Sequence, residues 1–282
     1  MTVFLNGEFV PEEKAVVSVF DRGFLYGDGL FEAMRVERGV PVLWARHLAR
    51  LQHGAAVLQL RLPFAPEALR EFARQLIDTN QMPQAVLRLV LSRGVGRRGY
   101  SPRGADTPTL VMSLHPAPDL DAAPAARWKL VTASQRVAAD DALATIKTCN
   151  KLPHILARAE AEARGADDAL LLNTRGEITE TAGGNFFWIE GGSVCTPPVS
   201  LGLLAGVTRV TVLELCGPLG CKTEEKVVRP ESLTRAQGAF VSLSTMGVVA
   251  VGALDSVAWP HSPLVPALQR AWRDLIEQDG GG

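Results

Sequence analysis

Two short stretches carry residue types that could together do covalent chemistry on a carbonyl. The first is Ile146-Lys147-Thr148-Cys149-Asn150, a lysine that follows the largely apolar Ala142-Leu143-Ala144. An ammonium in apolar surroundings is poorly solvated, which favours the free amine and makes it available for Schiff-base formation. The second runs from Gly176 through Glu180 to Asn185, and here a carboxylate precedes small residues that let the backbone approach a ligand closely. A lysine for an aldehyde and a carboxylate for a ring nitrogen are what pyridoxal 5′-phosphate requires. Each piece alone has an ordinary reading, a solvated lysine or a glutamate after a turn. Their order weighs more. Lys147 is followed by a helical stretch Leu152 to Arg164, Gly165 as its stop, a strand Ala169 to Leu172 and a turn, an excursion that can bring Glu180 back alongside its start.

Other positions could serve an anion. Gly206-Val207-Thr208 leads into a helix read as Val210 to Leu215. A glycine and a hydroxyl there are either loop punctuation or a phosphate cradle, because the first N–H groups of a helix are unpaired and its dipole is positive at that end. The loop Ser92 to Pro102 holds three glycines and three arginines. It reads as a flexible solvated turn or as a trap for an acidic substrate. Arg50 lies off the apolar stripe of its helix, where a solvated charge is the plain reading. Ser244 and Thr245 follow a strand, and hydroxyls in strands are common.

These residues need elements to hold them. Val3 to Val10 forms two short β-type runs around Asn6-Gly7, the dipeptide of a type I′ hairpin. Leu48, Leu51, Ala55 and Leu58 recur at helical spacing within Trp44 to Leu60, and a second amphipathic helix spans Pro66 to Asp78. Strands are expected at Gln84 to Leu91, Thr107 to Leu114 and Trp128 to Ala133, a hairpin around Gly191-Gly192, and a closing helix from Leu264 to Gln278. The proline-rich, aperiodic segment His115 to Arg127 reads as a linker. The division follows: a small N-terminal α+β domain at 1–120, and a larger C-terminal domain at 121–282 that carries the lysine.

The 282 residues, 47% hydrophobic, can bury sizeable cores. With 29 Lys and Arg against 30 Asp and Glu, the net charge of −1 offers no field for nucleic acid or an anionic membrane. The four cysteines form no CxxC pair, which fits a reduced cytoplasmic protein without a metal site, and Cys149 reads as a small buried filler. No secretory leader opens the chain, and no apolar run reaches spanning length.

The run IKTCNKLPHILARAEAEARGADDALLLNTRGEITETAGGNFF resembles the fold type IV pyridoxal-phosphate enzymes: branched-chain aminotransferases, D-amino-acid aminotransferases and aminodeoxychorismate lyases. DRGFLYGDGLFEAMRV, ARHLARL, RGVGRRGYSP and LLAGVTR are similar to further signatures of that family. The resemblance implies a two-domain α+β fold with the cofactor between the domains, and a homodimer whose loops complete each active site. It implies that Lys147 carries the cofactor and that Glu180 and Asn185 serve its ring. Arg50, Val207 (through its N–H), Thr208 and Ser244 or Thr245 hold the phosphate, and Arg209 supports the turn. Phe31, Arg98, Tyr100, Met246 and Gly247 line the substrate pocket.

Every branch shares the lysine and the glutamate. The loop and the two flanking signatures are more similar to the lyases, which convert aminodeoxychorismate to 4-aminobenzoate and pyruvate. Against this, Ala33 stands where such lyases often carry a threonine whose hydroxyl is a plausible proton donor. The expected activity is therefore the lyase. The alternatives are an aminotransferase for D- or branched-chain amino acids and, third, a pyridoxal-phosphate carrier without turnover.

Overall fold

The computed structural model describes residues 1–120 and 127–280, so part of the expected linker, residues 121–126, lies outside the described residues. The chain divides into two compact units. The first comprises Met1–Pro118, Ile146–Asn150 and Ile276–Gly282, and the second Asp119–Thr145 and Lys151–Leu275.

In the first unit, β1 (Thr2–Leu5) and β2 (Glu8–Pro11) form a hairpin. Asn6 and Gly7 both take positive φ at its turn, the geometry that the Asn-Gly pair favours. A short helix α1 (Arg22–Tyr26), capped by the Asp21 carboxylate on the Gly23 N–H, leads into β3 (Gly29–Glu37) and β4 (Val40–Pro41). Helices α2 (Trp44–Val57) and α3 (Pro66–Asn80) follow, then β5 (Ala85–Ser92) and β6 (Thr109–Pro116). The strands make an antiparallel sheet in the order β2-β1-β6-β5-β3-β4. Leu51 and Ala55 of α2 and Leu69, Ala73 and Leu76 of α3 join Leu87, Leu89 and Leu114 of the sheet in one core.

The second unit is built on β7 (Trp128–Val137), α4 (Leu152–Ala163), β8 (Asp168–Asn173), β9 (Ile178–Thr181), β10 (Asn185–Glu190) and β11 (Ser193–Thr196). It continues with α5 (Val207–Cys216), β12 (Thr223–Glu225), β13 (Gly238–Leu243), β14 (Gly247–Leu254), β15 (Val257–Ala258) and all but the last turn of α6 (Leu264–Asp279). Its mixed sheet runs β12-β11-β10-β13-β14-β7-β8-β9, with β15 beside β14. The pairs β11/β12, β7/β14 and β7/β8 are parallel. Phe186, Trp188, Val241 and Trp259 fill the core on one side, and Phe187, Phe240, Val212 and Leu268 form another cluster.

Three expectations need correction. Ile146–Asn150, expected in the C-terminal domain, groups with the first unit because it runs along the open edge of β3. Phe31 N–H donates to Lys147 O at 3.0 Å, Cys149 N–H donates to Gly29 O at 2.9 Å, and Leu30 and Thr148 form an antiparallel bridge. The apolar run Ala142 to Ala144 is not what surrounds the lysine either. It is a 3-10 turn with no buried residue, and Leu143 is exposed. Cys149, expected to be buried, is half-buried; all four cysteines are free thiols.

Candidate active site

The first group of functional side chains is assembled on β3. Period-two alternation puts Leu30, Glu32 and Met34 on its buried face and Phe31 and Ala33 on the other. Glu32 and His47 are each 1% exposed. His47 and Arg50, three residues apart on α2, share a side of that helix. Arg50 Nε donates to Glu32 Oε1 at 2.8 Å and its Nη2 donates to Oε2 at 2.7 Å, a bidentate grip, while His47 Nδ1 lies 2.6 Å from Oε2. Burial alone would raise the Glu32 carboxyl. The hydrogen bonds from Arg50 and His47 outweigh it and bring the carboxyl down to about 2. Burial pushes the His47 imidazole down, so it is neutral and its Nδ1–H donates to Glu32.

The lysine segment brings Lys147 to this group. Its Nζ sits 4.6 Å from the centre of the Phe31 ring, and Arg88 Cζ sits 4.5 Å from the same centre. Arg88 faces Ala33 directly across the β3/β5 ladder, so Phe31, Ala33 and Arg88 share one face.

The arginine loop is held by α1. Arg22 donates to the carbonyls of Gly99, Tyr100 and Ser101, and Gly99 N–H donates to Tyr26 Oη at 3.0 Å. Asp28 accepts from both Arg22 and Arg93. Burial opposes its charge, but the hydrogen bonds from Arg93 and Arg22 prevail and hold its carboxyl below the usual range. Arg93 is thus absorbed by the scaffold. Arg97 and Arg98 are exposed, and Tyr100, 88% exposed, meets only the Tyr26 ring among the described aromatic contacts.

The second group lies in the second unit. Glu180 is on β9, where Oε1 is 3.1 Å from His154 Nε2 and Oε2 accepts from Leu204 N–H at 3.2 Å and Asn185 Nδ2 at 3.4 Å. Asn185, at the start of β10, also donates to Leu204 O at 2.9 Å. Gly206 precedes α5 without any side-chain cap, and the first turn of that helix carries no acidic residue. Thr208 Oγ1 lies 3.3 Å from Ser244 Oγ, and the Ser242 hydroxyl is buried without a hydrogen-bond partner. Unpaired N–H groups and hydroxyls without a carboxylate among them fit a phosphate dianion. Arg209 turns away to Pro197 O and Glu225 and braces the turn.

Met246 and Gly247 are placed against Trp272. A cavity of about 80 Å³ is lined by Met246, Trp128, Trp272 and Arg273 among others, and a Cβ on Gly247 would come within 2.2 Å of Trp272 Nε1. Sequence reasoning passed over Glu32, His47, Arg88 and His154. The three-residue spacing of His47 and Arg50 was the available signal for the first pair.

The model of the family described as amino-transferase class IV matches residues 29–254. The chain belongs to that family. A putative branched-chain-amino-acid aminotransferase of Methanocaldococcus jannaschii is 34% identical over 90% of this chain and 88% of its own length. The crystal structure of 4-amino-4-deoxychorismate lyase from Pseudomonas aeruginosa is 32% identical, with a TM-score of 0.84 over 96% of this chain and 98% of that one. The T.th. branched-chain amino acid aminotransferase, solved with pyridoxamine 5′-phosphate, has a TM-score of 0.92 at 26% identity, over 98% and 94% of the two chains. This class IV protein therefore has the expected fold type IV architecture and is an enzyme, a lyase or an aminotransferase, of a pyridoxal-phosphate-dependent family. Among the described residues, no helix is long and apolar enough to cross a membrane.

Proposed function

We propose that this class IV enzyme is a pyridoxal 5′-phosphate-dependent 4-amino-4-deoxychorismate lyase, releasing 4-aminobenzoate and pyruvate for folate synthesis. The observation that carries the reading is the cationic flank of Phe31. Arg88 and Lys147 both sit over its ring, and Arg88 presents a guanidinium suited to one carboxylate of a dicarboxylate substrate. Arg98 and Tyr100 on the exposed loop supply contacts for the acidic substrate, and Met246 and Gly247 remain candidates for its pocket.

Pyridoxal phosphate, when bound, supplies an electron sink for the carbon that bears the substrate amine. Lys147 would hold the cofactor through Nζ, and its amine, when free, would take the proton from that carbon. Glu180, steadied by Asn185 and the Leu204 N–H, would hold the ring nitrogen and favour its protonated form. Phosphate contacts are assigned to Arg50, which Glu32 orients, and to Val207 N–H, Thr208, Ser244 and Thr245, each of which would offer the donors a phosphate needs. The Lys147 ammonium or a water would supply the proton to the leaving enolpyruvyl group, because Ala33 has none to give.

Ala33 also supports a second reading, an aminotransferase for D- or branched-chain amino acids, since transamination expels no leaving group. The test is a coupled assay. Pyruvate release from aminodeoxychorismate supports the lyase. Amino transfer from D-alanine or leucine to 2-oxoglutarate with no such release overturns it, and cofactor binding with neither activity leaves a non-catalytic carrier.

A homodimer fits the exposed apolar residues Phe20, Phe24, Val95 and Tyr100 of the first unit, where Asp21 and Val95 form a bridge that draws the segments together. The four free thiols fit a cytoplasmic location.

A further inference from the structure

His154 lies in the first turn of α4, which starts at Leu152-Pro153 and is secured by Ile155 N–H on Lys151 O at 2.9 Å. Proline at this position lacks only an N–H that the helix would leave unpaired, so it defines where His154 points at no cost. The imidazole Nε2 is 3.1 Å from Glu180 Oε1. Its other nitrogen, Nδ1, is buried and has no hydrogen-bond partner among the described residues. The bond to Glu180 is thus the one hydrogen bond described for this side chain, and among the described residues no other polar contact explains its orientation.

We propose that His154 is the positioning residue of Glu180, donating Nε2–H to Oε1 and thereby fixing the carboxylate plane that meets the cofactor ring nitrogen. The inference rests on the proposed role of Glu180. The surroundings of both ring nitrogens set the tautomer. An ionised carboxylate can only accept hydrogen bonds, so a proton on Nε2 makes the contact and one on Nδ1 does not. A proton on Nδ1 would also be buried without an acceptor, which costs more than leaving that nitrogen bare.

The arrangement has mechanical sense. Leu204 N–H and Asn185 both act on Oε2. Without a donor on Oε1 the carboxylate can swing about the broad terminal torsion of a glutamate side chain. Donors from α4, from β10 and from the loop ahead of α5 together allow one plane.

The bond is read first in the apoprotein, by ¹⁵N NMR of histidine-labelled protein. His154 is expected in the Nε2–H form. A bare Nε2 in the wild type would overturn the proposal without any variant. His154→Leu and His154→Gln are then compared as holoenzymes, since a glutamine amide reaches about as far as Nε2. His154→Leu should lower kcat about tenfold with KM changed less than about twofold, and should alter the absorbance spectrum of the bound cofactor; His154→Gln should recover most of both. Equal kcat and spectra in the two variants would overturn the positioning role. A wild type that fails to bind pyridoxal phosphate would instead sink the functional reading, and the NMR result would still report the His154–Glu180 bond.

Discussion

Glu32 and Arg50 form a buried, parallel two-point contact, Nε to Oε1 at 2.8 Å and Nη2 to Oε2 at 2.7 Å, with His47 on the same carboxylate. A cation proposed for a phosphate is therefore already oriented by an anion, so its rotamer does not have to be selected when the ligand arrives.

Glu32→Gln should destabilise the protein by about 3 kcal/mol at pH 7, because it leaves the Arg50 charge buried with a neutral partner. The Glu32 carboxyl titrates at about 2 in the fold against 4.5 for an ordinary glutamate. The unfolded chain binds the proton first as pH falls, so this stabilisation is complete above about 4.5 and is lost towards 2. Urea melts at pH 7, 4.5 and 3 should show wild type and variant converging. Parallel pH dependence in the two would contradict the contact.

Arg50→Ala should weaken pyridoxal phosphate binding by about 1.5 to 3 kcal/mol, the worth of a charge-assisted contact, and lose cofactor on dialysis while remaining folded by circular dichroism. Unchanged affinity would place the phosphate elsewhere. Thr208→Val should have a smaller effect in the same direction.

Borohydride reduction of the yellow holoenzyme, followed by peptide mapping, should place the pyridoxyl group on Lys147. Lys151 heads α4 in the second unit, whereas Lys147 lies against Phe31. A label on Lys151 would refute the assignment.

Gly206→Ala should impair the second group of residues specifically. The added Cβ would sit 2.0 Å from Asn185 Oδ1, forcing that side chain off Leu204 O and Glu180. A loss of about 1 to 3 kcal/mol in stability and a clear loss of cofactor affinity are expected. A variant that binds as tightly as wild type would show that Asn185 has no part in the site.

Ala33→Thr tests the branch. The new hydroxyl would stand on the Phe31 and Arg88 face of β3. In a lyase lacking its donor, it should keep or raise the rate of pyruvate release, since a positioned general acid contributes roughly 100-fold. Transamination should not gain. Pyruvate release undetectable in the variant, together with amino transfer by the wild type, would leave the aminotransferase standing.

Local chemistry made much of this molecule legible in the residues themselves. The Asn6-Gly7 hairpin, the Gly191-Gly192 hairpin, the α2 and α3 stripes and the stop at Gly165 all depend on contacts within a few positions. Pairings across long separations were not legible. An alternating strand reads the same whether its glutamate faces water or an arginine, so Glu32 gave no sign of holding Arg50, and His154 gave none of meeting Glu180. The apolar run before Lys147 pointed to burial that it does not provide, because that stretch forms an exposed turn. The motif around Lys147 belongs to the sequence. Its seat at the edge of β3 was decided only by tertiary structure, because a strand edge satisfies the backbone groups of whichever segment the rest of the fold delivers to it.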